Sequence, residues 1–184
     1  MRVIAGKYRG RPLAGPKHKG LRPTADRVKE ALFNIFGSSI VSASLLDLFA
    51  GTGSIGIEAL SRGADSVVFV DNNLQSLKLL RANLQLIDSQ DSEKIRVLHF
   101  TSDKCLAYLE KEGASFNFIF LDPPFEGGLY LKTIQLIHQY RLLKEDGVLA
   151  VEHPQKVSLE EIPFMVDKSR NYGDINLTFC INVK

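Results

Sequence analysis

The residues best suited to chemistry are acids at or just after short apolar runs, and the most informative of them is Asp122 in Asp122-Pro123-Pro124-Phe125. Two consecutive prolines fix φ and remove two N–H donors, so the turn is rigid and presents carbonyl oxygens outward. A carboxylate and a neighbouring carbonyl can both accept hydrogen bonds from one exocyclic amine, and the carboxylate can help remove its proton. Phe125 offers a flat face on which a base can stack. The turn therefore predicts methyl transfer to the amine of a base, whereas the simpler alternative is a Pro-Pro turn that only ends a strand.

A glycine-rich turn is the second candidate for chemistry. Gly51, Gly53 and Gly56 have the spacing G-x-G-x-x-G between an apolar run at residues 45–49 and a helical pattern at residues 55–62. Glycines at this spacing let the backbone bend tightly and approach a ligand closely. The turn therefore predicts a nucleoside-containing cofactor, and the alternative is a helix start that needs only close packing.

Three further acids indicate which cofactor the turn serves. Asp71 lies 20 residues beyond Gly51, where an acid can bind ribose hydroxyls. Asp47 lies in the first predicted strand, where it suits a cationic ammonium better than a pyrophosphate, and Asp103 can reach an adenine amine. These positions favour S-adenosylmethionine over NAD or FAD, and the chain lacks room for the separate substrate domain of many dehydrogenases. Direct transfer from a sulfonium needs neither a metal nor a nucleophilic cysteine, and we expect neither.

The elements that position these acids alternate between strand and helix. Short apolar runs predict five parallel strands in a doubly wound α/β sheet. The acids lie at the carboxyl ends of these strands, which is where such sheets bind ligands. Strict alternation at residues 175–183 predicts one more strand, half covered and antiparallel, that closes the sheet. The segment RPTADRVKEALFNIFG predicts a helix that Thr24 can cap and Gly37 can end. Its apolar face packs on the body, and Arg27 and Lys29 lie on the other face.

The charge distribution indicates a polyanionic partner. The 184 residues carry a net charge of +2, but residues 1–36 hold nine basic residues against two acids, which leaves the remainder at −5. This asymmetry favours nucleic acid, and the alternative is a solvated basic surface. Two cysteines and no apolar run near the roughly 20 residues of a membrane span predict a soluble, cytoplasmic protein.

The domain organisation follows from the same asymmetry. We expect a basic N-terminal hairpin or arm at residues 1–22 and a catalytic domain at residues 23–184. Seven basic residues of the arm are candidates for contact with nucleic acid: Arg2, Lys7, Arg9, Arg11, Lys17, Lys19 and Arg22.

Several segments together resemble the RsmD family of bacterial 16S rRNA (guanine-N(2))-methyltransferases. They are MRVIAGKYRGRPL, RPTADRVKEALFNIF, LLDLFAGTGSIGIEALSRGA, FIFLDPPF, VLAVEH and the late YGD. The resemblance implies a Rossmann-like class I methyltransferase fold, an α/β doubly wound seven-stranded sheet that is mostly parallel with an antiparallel C-terminal strand. It implies that catalysis depends on Asp122, Pro123, Pro124 and Phe125. It also implies an S-adenosylmethionine site at Asp47, Phe49, Gly51, Gly53, Asp71, Asn72 and Asp103, bordered by Thr24.

The expected reaction is methylation of the exocyclic amine of a guanine in 16S rRNA, either free or within an assembling small subunit. The base is expected to turn into the cleft and stack on Phe125, because its amine cannot reach the sulfonium inside a paired helix. We expect a monomer without a membrane partner. The alternatives are an adenine-amine methyltransferase of DNA or RNA, a methyltransferase of release-factor glutamine, and a non-catalytic rRNA-binding assembly factor. His153 follows a strand end, and its place in the cleft or in the structural core stays open.

Overall fold

The computed structural model describes residues 1–15, 23–124 and 128–183, without the side chains of residues 23–25, 89 and 90. Five α-helices lie in these ranges: α1 Pro23–Phe36, α2 Ser54–Ser61, α3 Leu74–Leu84, α4 Ser102–Lys111 and α5 Leu129–Gln139. Seven strands accompany them: β1 Ser44–Asp47, β2 Ser66–Asp71, β3 Ile95–His99, β4 Phe116–Leu121, β5 Leu143–Pro154, β6 Met165–Tyr172 and β7 Ile175–Ile181. Two 3₁₀ helices, Gly37–Ile40 and Ser89–Lys94, precede β1 and β3.

The seven strands form one sheet in the order β3-β2-β1-β4-β5-β7-β6. Strands β1 to β5 are parallel, and β7 pairs antiparallel with both β5 and β6. The predicted doubly wound, mostly parallel sheet with an antiparallel C-terminal strand is therefore confirmed. The chain winds outward from β1 to β3 and then returns to β4, so a crevice opens at the carboxyl ends of β1 and β4.

Both faces of the central sheet are covered, which explains why its strands are continuous apolar runs. Leu45 belongs to the hydrophobic core on the face that α1, α2 and α3 cover. Leu46, the next residue, belongs to a second core with residues of α4 and α5. Consecutive residues of a strand point to opposite faces, so each predicted strand supplies both cores.

The C-terminal strands differ from the prediction in two respects. Strand β7 was expected to be half covered, but Leu177 and Phe179 lie in the first core and Cys180 in the second, so both of its faces are buried. The reason is that both faces are covered: Phe179 packs against Phe36 of α1 on one face, and Cys180 belongs to the second core on the other. Residues 165–171 of β6 are exposed, and sequence analysis did not predict this strand.

Helix α1 also corrects two expectations. It begins at Pro23, so Thr24 lies within its first turn and is not the N-cap. A proline in the first turn is favourable because its missing N–H would have no partner there. Lys29 was expected on the exposed face beside Arg27, but its side chain is buried, and only Arg27 is exposed.

The first 15 residues pack against the sheet domain. One antiparallel bridge joins Arg2 to Pro12, and Val3, Tyr8 and Leu13 are buried in the first core. The expected boundary at residue 22 lies outside the described residues, and the separate status of residues 1–22 stays a prediction. Among the described helices, none has both the length and the apolar character needed to cross a membrane.

A fully buried carboxylate, Glu58 of α2, anchors this N-terminal segment. Its Oε2 accepts the N–H of Ile4 at 2.7 Å, and its Oε1 accepts the N–H of Ala5 at 3.0 Å. The Arg62 Nε lies 2.8 Å from Oε1, and the Lys29 Nζ lies 3.8 Å from Oε2. Lys29 also donates to the carbonyl of Arg2 at 2.7 Å. The segment is therefore held by a buried ionic cluster as well as by apolar contacts.

Candidate active site

The acids predicted for the site come together at the carboxyl ends of the parallel strands. Asp47 ends β1, Asp71 ends β2, and Asp122 follows directly after β4. Asp47, Asp122 and Gly51 line one cavity of about 210 Å³. Asn72, Asp103 and Pro124 line a neighbouring cavity of about 240 Å³. Phe49 lines both cavities, so the two form one elongated site that runs from the glycine turn to the start of α4.

Asp47 is held by the helix that follows the glycine turn. Its side chain is 1% exposed, and its Oδ2 accepts the N–H of Gly56 at 3.1 Å. Burial raises the pKa of Asp47 to about 7, the Gly56 N–H opposes this rise, and the nearby charges of Asp122 and Asp71 add to it. A cationic ligand group in this cavity would offset that burial, because an opposite charge favours the ionised carboxylate.

The glycine turn brings the backbone against Asp71. The N–H of Gly51 donates to Asp71 Oδ2 at 2.8 Å, and the N–H of Asn73 donates to Oδ1 at 2.7 Å. Gly53 has φ of +78°, and a Cβ there would meet Leu80 Cδ1 at 2.3 Å. Glycine is therefore required at position 53 both for its conformation and for space.

The second cavity carries an ionised acid beside aromatic walls. Asp103 lies in the first turn of α4, and a hydrogen bond from the Thr101 hydroxyl, together with the Lys104 N–H, lowers its pKa. Phe49 and Phe100 supply aromatic surface to the same cavity. Flat apolar walls with an acceptor at one end suit an adenine ring and its amine.

The Asp-Pro-Pro turn lies between the two cavities. Burial raises the pKa of Asp122 to about 6, which brings its proton exchange close to neutral pH. Pro123 is buried, and its carbonyl accepts a hydrogen bond from the Tyr130 hydroxyl at 3.2 Å. Sequence analysis did not identify Tyr130, because nothing in the sequence indicates that the second residue of α5 reaches back to this carbonyl. Phe125 lies outside the described residues, so its stacking role stays a prediction.

His153 belongs to the support of the site. It is 4% exposed, with Nδ1 3.0 Å from the Pro154 carbonyl and Nε2 2.9 Å from Thr178 Oγ1. Burial lowers its pKa, which favours the neutral ring. Both ring nitrogens are occupied, and the ring packs edge-on against Tyr130, with centroids 6.4 Å apart. His153 therefore supports Tyr130 and does not line either cavity of the described site.

Three charged residues of the first cavity, Asp26, Lys29 and Glu152, were not predicted as site residues. Lys29 lines it with its buried side chain, and Glu152 lines it from the end of β5. The sequence places Lys29 on a helix face that periodicity marks as polar, which concealed its burial. Glu152 belongs to the VLAVEH segment. The position of this segment at the end of a predicted strand could have indicated that Glu152 lies at the site.

The basic residues of the N-terminal segment divide into two groups. Lys7 pairs with Asp88 at 3.0 Å and with Asp91 at 3.2 Å, and Arg11 pairs with Asp88 at 3.7 Å. Arg2 and Arg9 are exposed, and with Arg27 of α1 they line a cleft of about 340 Å³. Lys17, Lys19 and Arg22 lie outside the described residues, and so does the side chain of Thr24.

Cysteine and metal chemistry find no support in the described part of the chain. Cys105 and Cys180 are buried, and burial raises the pKa of each thiol to about 12. The thiolate is the nucleophilic form, so neither cysteine is activated. Within residues 1–15, 23–124 and 128–183, no group of three His, Cys, Asp or Glu side chains has the arrangement of a metal site.

Comparison with known proteins gives matches along most of the chain. The family model described as Conserved hypothetical protein 95 matches residues 1–181. Ribosomal RNA small subunit methyltransferase D of Escherichia coli (strain K12) is 35% identical over 163 residues, which cover 89% of this chain and 79% of that protein. The protein of the same name from Haemophilus influenzae is 40% identical over 152 residues, covering 83% and 78%. The structure of yhhF from Escherichia coli gives a TM-score of 0.85 at 32% identity and covers 100% of this chain and 99% of that one.

The fold of these relatives is the Rossmann-like fold of methyltransferases, as the motifs predicted. The family match spans all but the last three residues and includes the glycine turn, the Asp-Pro-Pro turn and the N-terminal segment. The resemblance drawn from the sequence is thereby confirmed. The chain belongs to the RsmD family, described as Conserved hypothetical protein 95.

Proposed function

We propose that this protein methylates the exocyclic N2 amine of a guanine in small-subunit rRNA, with S-adenosylmethionine as methyl donor. The observation that carries the proposal is the shared cavity of Asp47, Gly51 and Asp122, where a buried acid suited to an amine lies beside a glycine turn suited to a nucleoside. The relatives named ribosomal RNA small subunit methyltransferase D support the class of substrate.

The residues of the site fit the donor part by part. Asp47 and the first turn of α2 suit its amino acid end, Asp71 suits its ribose hydroxyls, and the Asp103 cavity suits its adenine. Phe49, Gly51 and Asn72 line the cavities between these ends, Gly53 belongs to the turn that carries Gly51, and Thr24 belongs to the helix that borders them. S-adenosylmethionine, when bound, supplies a methyl group activated by a positively charged sulfur.

Asp122 and the Pro123 carbonyl perform the remaining work on the amine. Each accepts one N–H of N2, which aligns the nitrogen lone pair with the methyl carbon. As the N2–carbon bond forms and the carbon–sulfur bond breaks, N2 becomes positively charged. Its proton passes to the Asp122 carboxylate and then to water, and S-adenosylhomocysteine leaves. A pKa of about 6 suits this acceptor, since it is mostly ionised at neutral pH yet able to take a proton.

The N-terminal segment is proposed to hold the RNA backbone. Arg2 and Arg9 have no ion-pair partner among the described residues, so their charges are available to phosphates. Lys7 and Arg11 are already paired with acids, and their contribution to RNA affinity is expected to be smaller. Contacts between this segment and phosphates would position the RNA, and contacts within the cavity would select the base.

The test is to map methylated nucleosides by mass spectrometry in small-subunit rRNA from a strain without this protein, before and after complementation. The wild-type gene should restore one N2-methylguanine, and Asp122→Ala should not restore it. Calorimetry should show that Asp122→Ala still binds S-adenosylmethionine. Asp146→Ala, at an exposed acid of β5, is the matched control and should restore the modification.

Two results would contradict the proposal. If the deletion strain keeps every rRNA methylation, the substrate is wrong. If Asp122→Ala methylates at near wild-type rate, the catalytic assignment is wrong.

A further inference from the structure

Glu152 lines the same cavity as Asp122, and the proposed reaction does not use it. The register of the parallel strands β4 and β5 sets Leu121 opposite Val151. Asp122 and Glu152 are the next residues of the two chains, so their backbones are neighbours at roughly 5 Å. Both side chains line the cavity of about 210 Å³. Two carboxylates therefore face the same space side by side.

A second observation places the two acids around the turn that would hold the amine. The pKa of the Tyr130 hydroxyl is raised by burial first and then by the charges of Asp122 and Glu152. That hydroxyl donates to the Pro123 carbonyl. Asp122, Glu152 and the Pro123 carbonyl are thus three acceptors that all lie near the Tyr130 hydroxyl.

The chemistry of the bases distinguishes what such acceptors bind. Guanine has two adjacent donor groups on its Watson–Crick edge, the N2 amine and N1–H. Adenine has its N6 amine beside N1, which carries a lone pair and no hydrogen. An ionised carboxylate is an acceptor only. A carboxylate beside the amine acceptors therefore matches guanine and faces the lone pair of adenine.

We propose that Glu152 selects guanine by accepting a hydrogen bond from N1–H of the turned-out base, while Asp122 and the Pro123 carbonyl hold N2. This inference rests on the proposed function and adds the residue that reads the base. Glu152 also has an interaction within the protein. A carboxylate has about four acceptor positions on two oxygens, so it keeps this interaction and accepts N1–H as well.

The test varies the substrate base: 2-aminopurine lacks both the O6 oxygen and the N1 hydrogen of guanine, and the loss of O6 is the same for every protein variant compared. The small-subunit rRNA is assembled by ligation with either guanine or 2-aminopurine at the mapped position, as free RNA and reconstituted with small-subunit proteins. 2-Aminopurine keeps the 2-amine that receives the methyl group, but its N1 has a lone pair and no hydrogen. The ratio of kcat/KM for guanine to kcat/KM for 2-aminopurine is measured for wild type, Glu152→Gln and Glu145→Gln. Glu145 is an exposed residue of the same strand and gives the matched control.

Wild type should prefer guanine by about 10- to 100-fold, the range of a hydrogen bond to a charged group. Glu152→Gln should shrink this ratio by at least about tenfold, because its amide N–H can donate to N1 of 2-aminopurine. Glu145→Gln should keep the wild-type ratio. The dissociation constant for S-adenosylmethionine should stay within about twofold in both variants, which separates base selection from a general defect of the fold.

Three results would overturn the inference. One is a Glu152→Gln protein with the wild-type ratio. Another needs no variant: a wild-type protein that methylates guanine and 2-aminopurine equally does not read N1–H. The third is a wild-type protein that methylates adenine and not guanine at the mapped position, which would refute the proposed function and this inference with it.

Discussion

Removal of the Glu58 carboxylate should be among the most damaging single changes outside the site. In Glu58→Ala the N–H groups of Ile4 and Ala5 lose their acceptor, and Lys29 and Arg62 lose their counter-charge. Glu58 is 0% and Lys29 2% exposed, so solvent does little to compensate. Breaking a buried pair by removing one partner costs about 3–5 kcal/mol. Burial already lowers the pKa of Lys29, so in Glu58→Ala this lysine can release its proton and become neutral. The loss of unfolding free energy should therefore not exceed this range.

The two partners should not be equivalent. In Lys29→Met the Glu58 carboxylate keeps Arg62 and both backbone N–H groups, so we expect a loss of about 1–2 kcal/mol. Glu58→Gln keeps one carbonyl oxygen for these N–H groups and should lie between, at about 2–3 kcal/mol. Replacement of both residues by methionine should be more stable than Glu58→Ala, because no buried charge is left without a partner except Arg62, which is near the surface.

Urea unfolding measures these free energies, and hydrogen exchange at Ile4 and Ala5 shows whether the N-terminal segment is released first. Exchange at these two amides should accelerate more than exchange in β4. The reasoning is refuted if Lys29→Met loses as much stability as Glu58→Ala, or if Glu58→Ala loses less than about 1 kcal/mol.

Three further predictions concern the site and its packing. Because Asp122 must be ionised and its pKa is about 6, kcat/KM should fall tenfold per pH unit below about pH 6, and a flat profile from pH 5 to 8 would contradict this. Burial raises the pKa of Asp47 from 3.8 to about 7, so the folded protein holds a proton that the unfolded chain releases. Stability should therefore fall as pH rises from about 4 to about 7, and urea unfolding at pH 5 and 8 should show a smaller fall in Asp47→Asn, where the raised pKa of Asp122 still contributes. A Cβ at position 56 would lie 2.2 Å from Phe69 Cε1, so Gly56→Ala should lose about 1–3 kcal/mol in urea unfolding despite the better helix propensity of alanine; unchanged stability would count against this packing argument.

The parallel core of the fold could be predicted because its strands are buried on both faces. Residues 67–70 and 118–121 are uninterrupted apolar runs, and each one lies within a strand of the sheet. Strand β6 could not be predicted in this way, since an exposed edge strand needs no apolar face and its sequence MVDKSRNY has no alternation. The second covered face of β7 was missed because the residues that cover it, those of the second core, are distant in the sequence.

Sequence analysis could predict only the part of the candidate site that consists of acids near the ends of strands. Asp47, Asp71, Asp103 and Asp122 follow strands or glycine turns, so topology alone brings them to one edge. Sequence analysis missed Tyr130, Lys29 and Glu152, because their roles depend on contacts between elements that are distant in the sequence. Helix periodicity predicts which face of a helix a residue lies on, but it does not predict how deeply its side chain is buried. Lys29 was therefore placed at the surface. A long side chain can reach into a cavity from a position that the pattern marks as polar.

The anchoring of the N-terminal segment has a consequence for synthesis. The partners of the first 15 residues appear much later in the chain: the acceptor of the Tyr8 hydroxyl, Asp91, lies 83 residues downstream, and Asn83, which binds the backbone of Ala14, lies 69 residues downstream. At about 5–20 residues per second, Tyr8 waits roughly 4–17 s for its partner to leave the ribosome. During that time the basic N-terminal segment has been synthesised but is not yet bound to the rest of the protein. The segment that is synthesised first therefore docks late, after the strands on which it rests.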